Sequence, residues 1–180
     1  WRKTREKTTP YPQIELPFAR KRDTDFDYHR SGKSENIVLP SPLYKSLKDL
    51  GKREGVTLYM VLMSALHALL HHYTGLDQIG IFSSLLNRRP ETLGLIGWFA
   101  QFHAIDADLS DDPRLSDLLK QVRESLLGAY EHQEIPYVLL LRRLVAEFPG
   151  YDLPQFNTPW AYFDLKKQSD VTKQMDNVLI

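Results

Sequence analysis

Leu86 to Asp108 reads LNRRPETLGLIGWFAQFHAIDAD, and the fold turns on how this stretch is understood. Asn87-Arg88-Arg89-Pro90-Glu91 is a polar elbow, in which Pro90 disfavours a helical Arg89 and fixes a turn. A short apolar piece follows and pivots on Gly94 and Gly97. Trp98 to Asp106 then reads as a strand, aromatic and apolar but carrying Gln101 and His103. Two glycines beside Trp98 and Phe99 imply a backbone that something approaches closely. The plain alternative is a buried strand preceded by a tight turn.

The surrounding composition narrows the class. A chain of 180 residues suits one domain or one lobe of a larger one. With 42% hydrophobic and 26% charged residues, its composition is that of a globular protein with a substantial core. Lys plus Arg and Asp plus Glu are 23 each, so no charge excess points to nucleic acid or to an anionic membrane. The absence of cysteine excludes disulfides, thiolate catalysis and cysteine–zinc sites. No run is long and apolar enough to span a bilayer, and WRKTREKTT lacks the apolar centre of a signal peptide, so the expected compartment is the cytoplasm.

Before this stretch, residues 1–33 are polar, with Pro10, Pro12 and Pro17, and read as an extended linker crossing a surface rather than a packed element. Asn36 to Leu39 is a short strand candidate closed by Pro40. Ser41-Pro42 supplies a cap and a first-turn proline for a helix with Leu43, Leu47 and Leu50 on one face, closed by Gly51 and Gly55. Thr57 opens a second helix whose expected apolar face is Leu58, Val61, Leu62, Ala65, Leu66, Leu69, Leu70 and Tyr73, with Gly75 ending it. Gln78 to Leu86 reads as a strand buried on both faces.

Beyond it, Asp112-Pro113 starts a third helix with Leu115, Leu118, Leu119, Val122, Leu126 and Ala129 inward. Pro136 opens a fourth, with Val138, Leu141, Leu144 and Val145 inward and Pro149-Gly150 at its end. Phe156 to Leu165 is a last strand candidate. The expectation is an α/β fold, a mixed sheet packed with helices.

The histidines are the first chemical suspects. His67 and His71 stand one helical turn apart, but a third metal ligand is evident only in His72 or Asp77, and no metal site is assigned. His103 beside Gln101 makes a polar pair in an apolar strand; a satisfied, partly buried histidine is the plain reading of it. No Gly-rich phosphate loop, GxSxG elbow, HExxH motif or carboxylate pair for glycoside hydrolysis occurs.

Three segments, in order, resemble the core motifs of nonribosomal peptide synthetase condensation domains. Ile96-Gly97-Trp98-Phe99, preceded by Asn87, Arg88 and Glu91, is similar to the (I/V)GxF opening of the fifth. His132-Gln133-Glu134-Ile135-Pro136-Tyr137 is similar to the sixth, HQD(Y/V)PFE, the most specific of the three. Tyr151-Asp152-Leu153-Pro154-Gln155-Phe156-Asn157 occupies the place of the seventh, RDxSRNPL, and keeps Asp152. The chain departs from the fifth motif at Ala100-Gln101-Phe102 and at Asp106, where the family continues V-N-T and ends in arginine. His71-His72 superficially resembles the HHxxxDG active-site motif, but Asp77 comes one residue late without a following glycine, and the pair closes a helix.

The resemblance implies the C-terminal lobe of a condensation domain, residues 34–180 and truncated at its end, entered by residues 1–33 as the linker from a missing N-terminal lobe. It implies the chloramphenicol acetyltransferase kind of fold, with donor and acceptor carrier proteins bringing thioesters on phosphopantetheine arms to a channel between two lobes. No cofactor is bound directly, and no nucleic acid or membrane is a partner. The general base belongs to the first lobe, so no catalytic residue is assigned here. Trp98, Phe99, Gln101 and His103 are the channel-side candidates; Asn87, Arg88, Glu91, Ile96, Gly97, His132, Gln133, Pro136 and Asp152 are the family motif positions. Two rival readings are a noncatalytic carrier-docking module and a free-standing acyltransferase using His103.

Overall fold

The structure, a computed structural model, describes residues 14–18, 38–88 and 90–147. In chain order it has α1 (Ser41–Glu54), α2 (Leu58–Thr74), β1 (Gln78–Leu85), a single 3₁₀ turn (Pro90–Thr92), β2 (Gln101–Asp108), α3 (Leu115–Glu131) and α4 (Tyr137–Glu147). The expected strand over Asn36 to Leu39 does not form at Val38 and Leu39; the rest of it, the strand over Phe156 to Leu165 and Pro149-Gly150 lie outside the described residues.

The helix boundaries follow local chemistry. Pro40, rather than Ser41, occupies the N-cap of α1, with no side-chain cap. A proline in the first turn has no N–H to leave unsatisfied, and the Pro40 carbonyl accepts from the Tyr44 N–H at 2.9 Å. At the other end Gly55 sits at φ +66°, its N–H reaching the Lys52 carbonyl while Val56 N–H reaches that of Gly51, a Schellman ending. Thr57 Oγ1 accepts from Met60 N–H at 3.2 Å and starts α2, which meets α1 at 100°. Gly75, at φ +68°, ends α2 as expected.

The buried face of α2 is rotated from the expected one. Met60, Val61, Met63, Ser64, His67 and Leu70 are buried, whereas Ala65, Leu69 and Tyr73 are exposed. Two polar residues enter the core beside backbone carbonyls. Ser64 Oγ donates to the Met60 carbonyl at 2.8 Å, and the His67 ring nitrogens lie 2.9 Å from the Met63 carbonyl and 3.1 Å from that of Ile105, one of which takes the single N–H of the neutral ring.

β1 and β2 form an antiparallel pair running from Gln78 opposite Asp108 to Leu85 opposite Gln101. Ile79, Ile81 and Leu85, with Ile105 and Ala107, join Met60, Met63 and Leu70 of α2 and Leu118, Val122, Leu126 and Ala129 of α3 in one apolar core. Leu115, expected inward, is exposed. α3 also covers the outer edge of β2: Ser125 Oγ accepts from Asp106 N–H at 2.8 Å and Gln121 Oε1 from Asp108 N–H at 2.9 Å. Helix side chains one turn apart thus take the ladder positions a further strand would fill. Ile14 and Leu16 pack against the same core, and Phe18 lies edge-on to Tyr73 with centroids 5.4 Å apart, so residues 14–18, expected to cross the surface without packing, are packed.

β2 begins three residues later than expected. The register would next pair Ala100 with Leu86 and Phe99 with Asn87, but Asn87 has φ +49° and leaves the strand conformation. The ladder therefore stops, and Trp98 to Ala100 belong to the connection.

Candidate functional site

That connection brings most of the fifth-motif positions together. Asn87 makes the left-handed turn out of β1 and aims the chain toward Arg88. Arg88 Nη1 donates to the carbonyls of Thr92 at 2.9 Å and Leu95 at 2.8 Å, and Nη2 donates to that of Gly97 at 3.2 Å. The same guanidinium lies 4.4 Å over the ring of Phe99. A Cβ at Gly97 would come within 3.2 Å of that ring, a contact tight enough that the ring would have to shift slightly. Glu91 lies exposed in the 3₁₀ turn.

The connection presents apolar groups to solvent. Ile96 is fully exposed, Trp98 is 82% exposed, and Leu86, Leu93 and Leu95 are exposed around them. Phe99 is half-buried under Arg88, and Gln101 is half-buried at the start of β2. An apolar cluster of this kind marks a contact surface.

His103 does not join it. Gln101, His103, Ile105 and Ala107 share a face by strand alternation, and from His103 onward that face is buried. His103 is 1% exposed, opposite Ser83, whose hydroxyl pairs with Tyr59 Oη. The polar face expected to look outward through Gln101 and His103 thus turns into the core at His103. Burial raises the Tyr59 pKa above its ordinary value and lowers that of His67, so both groups are held neutral near neutrality. Tyr59, Ser64, Ser83 and the Arg88 clamp escaped the reading of the sequence. An arginine just before a glycine-bearing apolar run was the available signal for the clamp.

The sixth-motif positions stand apart, at the junction of α3 and α4. His132 Nδ1 donates to the Gly128 carbonyl at 2.9 Å, and the His132 carbonyl accepts from Ile135 N–H at 3.1 Å. Gln133 N–H reaches the Tyr130 carbonyl at 3.5 Å. Pro136 precedes α4, its carbonyl accepting from Leu139 N–H at 2.9 Å. These residues hold a turn. Asp152 and the side chains of Val138, Leu141, Leu144 and Val145 lie outside the described residues.

At the opposite end of β1, His71, His72, Gly75, Leu109, Asp112 and Leu118 help line an open groove of about 570 Å³. His71 Nδ1 donates to the Leu76 carbonyl at 2.8 Å, so this histidine is tied to the end of its helix. Among the described residues no cluster suited to a metal ion occurs.

The sequence matches the condensation-domain family over residues 1–173. The chain belongs to the condensation-domain family. It is 36% identical over 160 residues to a linear gramicidin synthase of Brevibacillus parabrevis, covering 88% of this chain and 3% of that protein. It is 31% identical over 161 residues to the phosphinothricin tripeptide synthetase PhsC of Streptomyces viridochromogenes, covering 89% of this chain and 15% of that protein. The condensation-domain chain therefore spans a small part of these relatives. Its fold is similar to part of a four-domain nonribosomal peptide synthetase, holo-AB3403, with a TM-score of 0.73 over 93% of this chain and 12% of that one, at 22% identity. The condensation domain of the Monacolin K polyketide synthase MokA gives 0.55 over 59% of this chain and 24% of that one, at 21% identity. These likenesses bear out the α/β fold class.

Proposed function

We propose that this chain is the C-terminal lobe of a condensation domain that forms amide bonds between carrier-bound aminoacyl or peptidyl thioesters in nonribosomal peptide synthesis. The observation that carries this reading is the family match across residues 1–173. In the reaction the acceptor amine attacks the donor thioester carbonyl; a C–N bond forms, the C–S bond breaks, and the phosphopantetheine thiol leaves with a proton. An N-terminal lobe holding HHxxxDG supplies the histidine that takes the amine proton or positions the amine. Positioned proton transfer of this kind contributes about 10²–10⁴-fold.

Residues 34–180 contribute one wall of the channel, with Trp98, Phe99 and Gln101 on it, and residues 1–33 enter from the N-terminal lobe. Donor and acceptor carrier proteins are the partners, their phosphopantetheine arms carry the substrates, and the compartment is the cytoplasm. The burial of His103 argues against a free-standing acyltransferase built on it.

The test is mass spectrometry of the carriers after a complete synthetase containing this chain is charged with donor and acceptor. Condensed product on the acceptor carrier is expected, and charged carriers that stay uncondensed would refute the reading. In the same assay Gln101→Leu is expected to lower the rate about tenfold with little change in melting temperature. Equal rates in the two proteins would remove Gln101 from the channel.

A further inference from the structure

We infer that Arg88 is a positioning residue: it shapes the segment Leu95 to Phe99 so that Ile96 and Trp98 are presented outward on the channel wall. The inference rests on the amide-forming reading above and assigns a role that the motif position alone does not carry.

Among the described residues, the backbone bonds within the connection are Leu93 N–H to the Pro90 carbonyl at 3.4 Å and Leu95 N–H to that of Thr92 at 3.1 Å. Past Leu95, the contacts among the described residues that tie the segment down come from Arg88: the Gly97 carbonyl at 3.2 Å and the Phe99 ring at 4.4 Å. Arg88 therefore holds the backbone at Leu95 and Gly97 and the ring of Phe99. Between these anchors the chain bends at Gly97 and leaves Ile96 and Trp98 in solvent.

The geometry requires arginine. Nη1 donates twice and Nη2 once, and the guanidinium carbon lies 4.4 Å over the Phe99 ring. A lysine ammonium keeps the charge but offers neither the planar fork nor a stacking face. The guanidinium is exposed and lies away from the core of α2, α3 and the sheet, so its loss is felt locally.

The test compares a complete synthetase carrying this chain with its Arg88→Gln and Arg88→Lys variants, by hydrogen–deuterium exchange and by amide-forming kinetics. In Arg88→Gln, exchange in the peptide covering residues 90–100 is expected to rise about tenfold, as for loss of a local tie, while peptides from α2 and the sheet stay unchanged. kcat is expected to fall about tenfold at an unchanged melting temperature, and Arg88→Lys is expected not to restore it. Unchanged exchange in Arg88→Gln would overturn the clamp. Raised exchange with kcat and KM both intact would overturn the positioning role. A wild-type synthetase that forms no amide would instead refute the reading beneath the proposal and the role with it, leaving exchange to decide whether Arg88 shapes the segment.

Discussion

At the scale of single residues, backbone carbonyls decide what the side-chain pattern could not. Ser64 and His67 interrupt an apolar helix in the sequence, yet both are buried because a backbone carbonyl accepts from each, that of Met60 from Ser64 and that of Met63 or Ile105 from His67. Burial lowers the pKa of His67, outweighing the backbone of Met63, Ile105 and Ile79 and the nearby Asp106, which act the other way. The unfolded chain therefore binds the proton more readily than the folded one, and stability falls as pH drops below about 6.5, by at most about 1.4 kcal/mol per pH unit. In thermal melts between about pH 7 and pH 5, His67→Gln is expected to flatten this acid limb. An equally steep limb in the variant would assign the effect to other groups. Arg88 was named as a motif position, but its clamp was illegible for a related reason: its partners are the carbonyls of Thr92, Leu95 and Gly97, and carbonyls leave no mark on a sequence.

At the scale of elements, legibility follows how local the cause is. Gly55, Thr57 and Gly75 set their boundaries through contacts within a few residues, and each does what its residue type implies. The start of β2 depends instead on Asn87, which stops a ladder whose other strand lies beyond the connection, so Trp98 to Ala100 read as strand and are not. Asn87→Val is expected to cost about 1–2 kcal/mol, since a β-branched residue resists positive φ, whereas Asn87→Gly is expected to be nearly neutral; chemical denaturation measures both. Equal losses for the two would mean that the Asn87 side chain matters rather than its backbone. The edge of β2 offers a second check. Replacing both Gln121 and Ser125 with Ala removes the acceptors of Asp108 and Asp106 N–H, at about 1 kcal/mol each. Amide exchange at those two positions is expected to speed up selectively, and no change there would show that the helix does not cap the strand.

At the scale of the whole molecule, the family motifs were more legible than the site they build. The run through Ile96 and Gly97 and the turn at His132 and Pro136 pointed to the condensation-domain family, which the match over residues 1–173 establishes. Burial was not written there: His103 shares its strand with Gln101 and yet lies in the core. Exposed Leu86, Leu93, Leu95, Ile96 and Trp98 make a surface that a second lobe or another copy of the chain would cover, so the isolated chain is expected to self-associate. Sedimentation velocity checks this, and a monomer at all concentrations would contradict it. That these residues are half of an amide-forming domain can be tested without the rest of a synthetase. Loaded donor and acceptor carriers are incubated with this 180-residue chain, alone and with an HHxxxDG-bearing lobe added in trans, and the carriers are read by mass spectrometry. No condensed product is expected from the chain alone, and product is expected once the second lobe is present. Product from the chain alone, abolished by His103→Ala, would contradict the half-domain assignment.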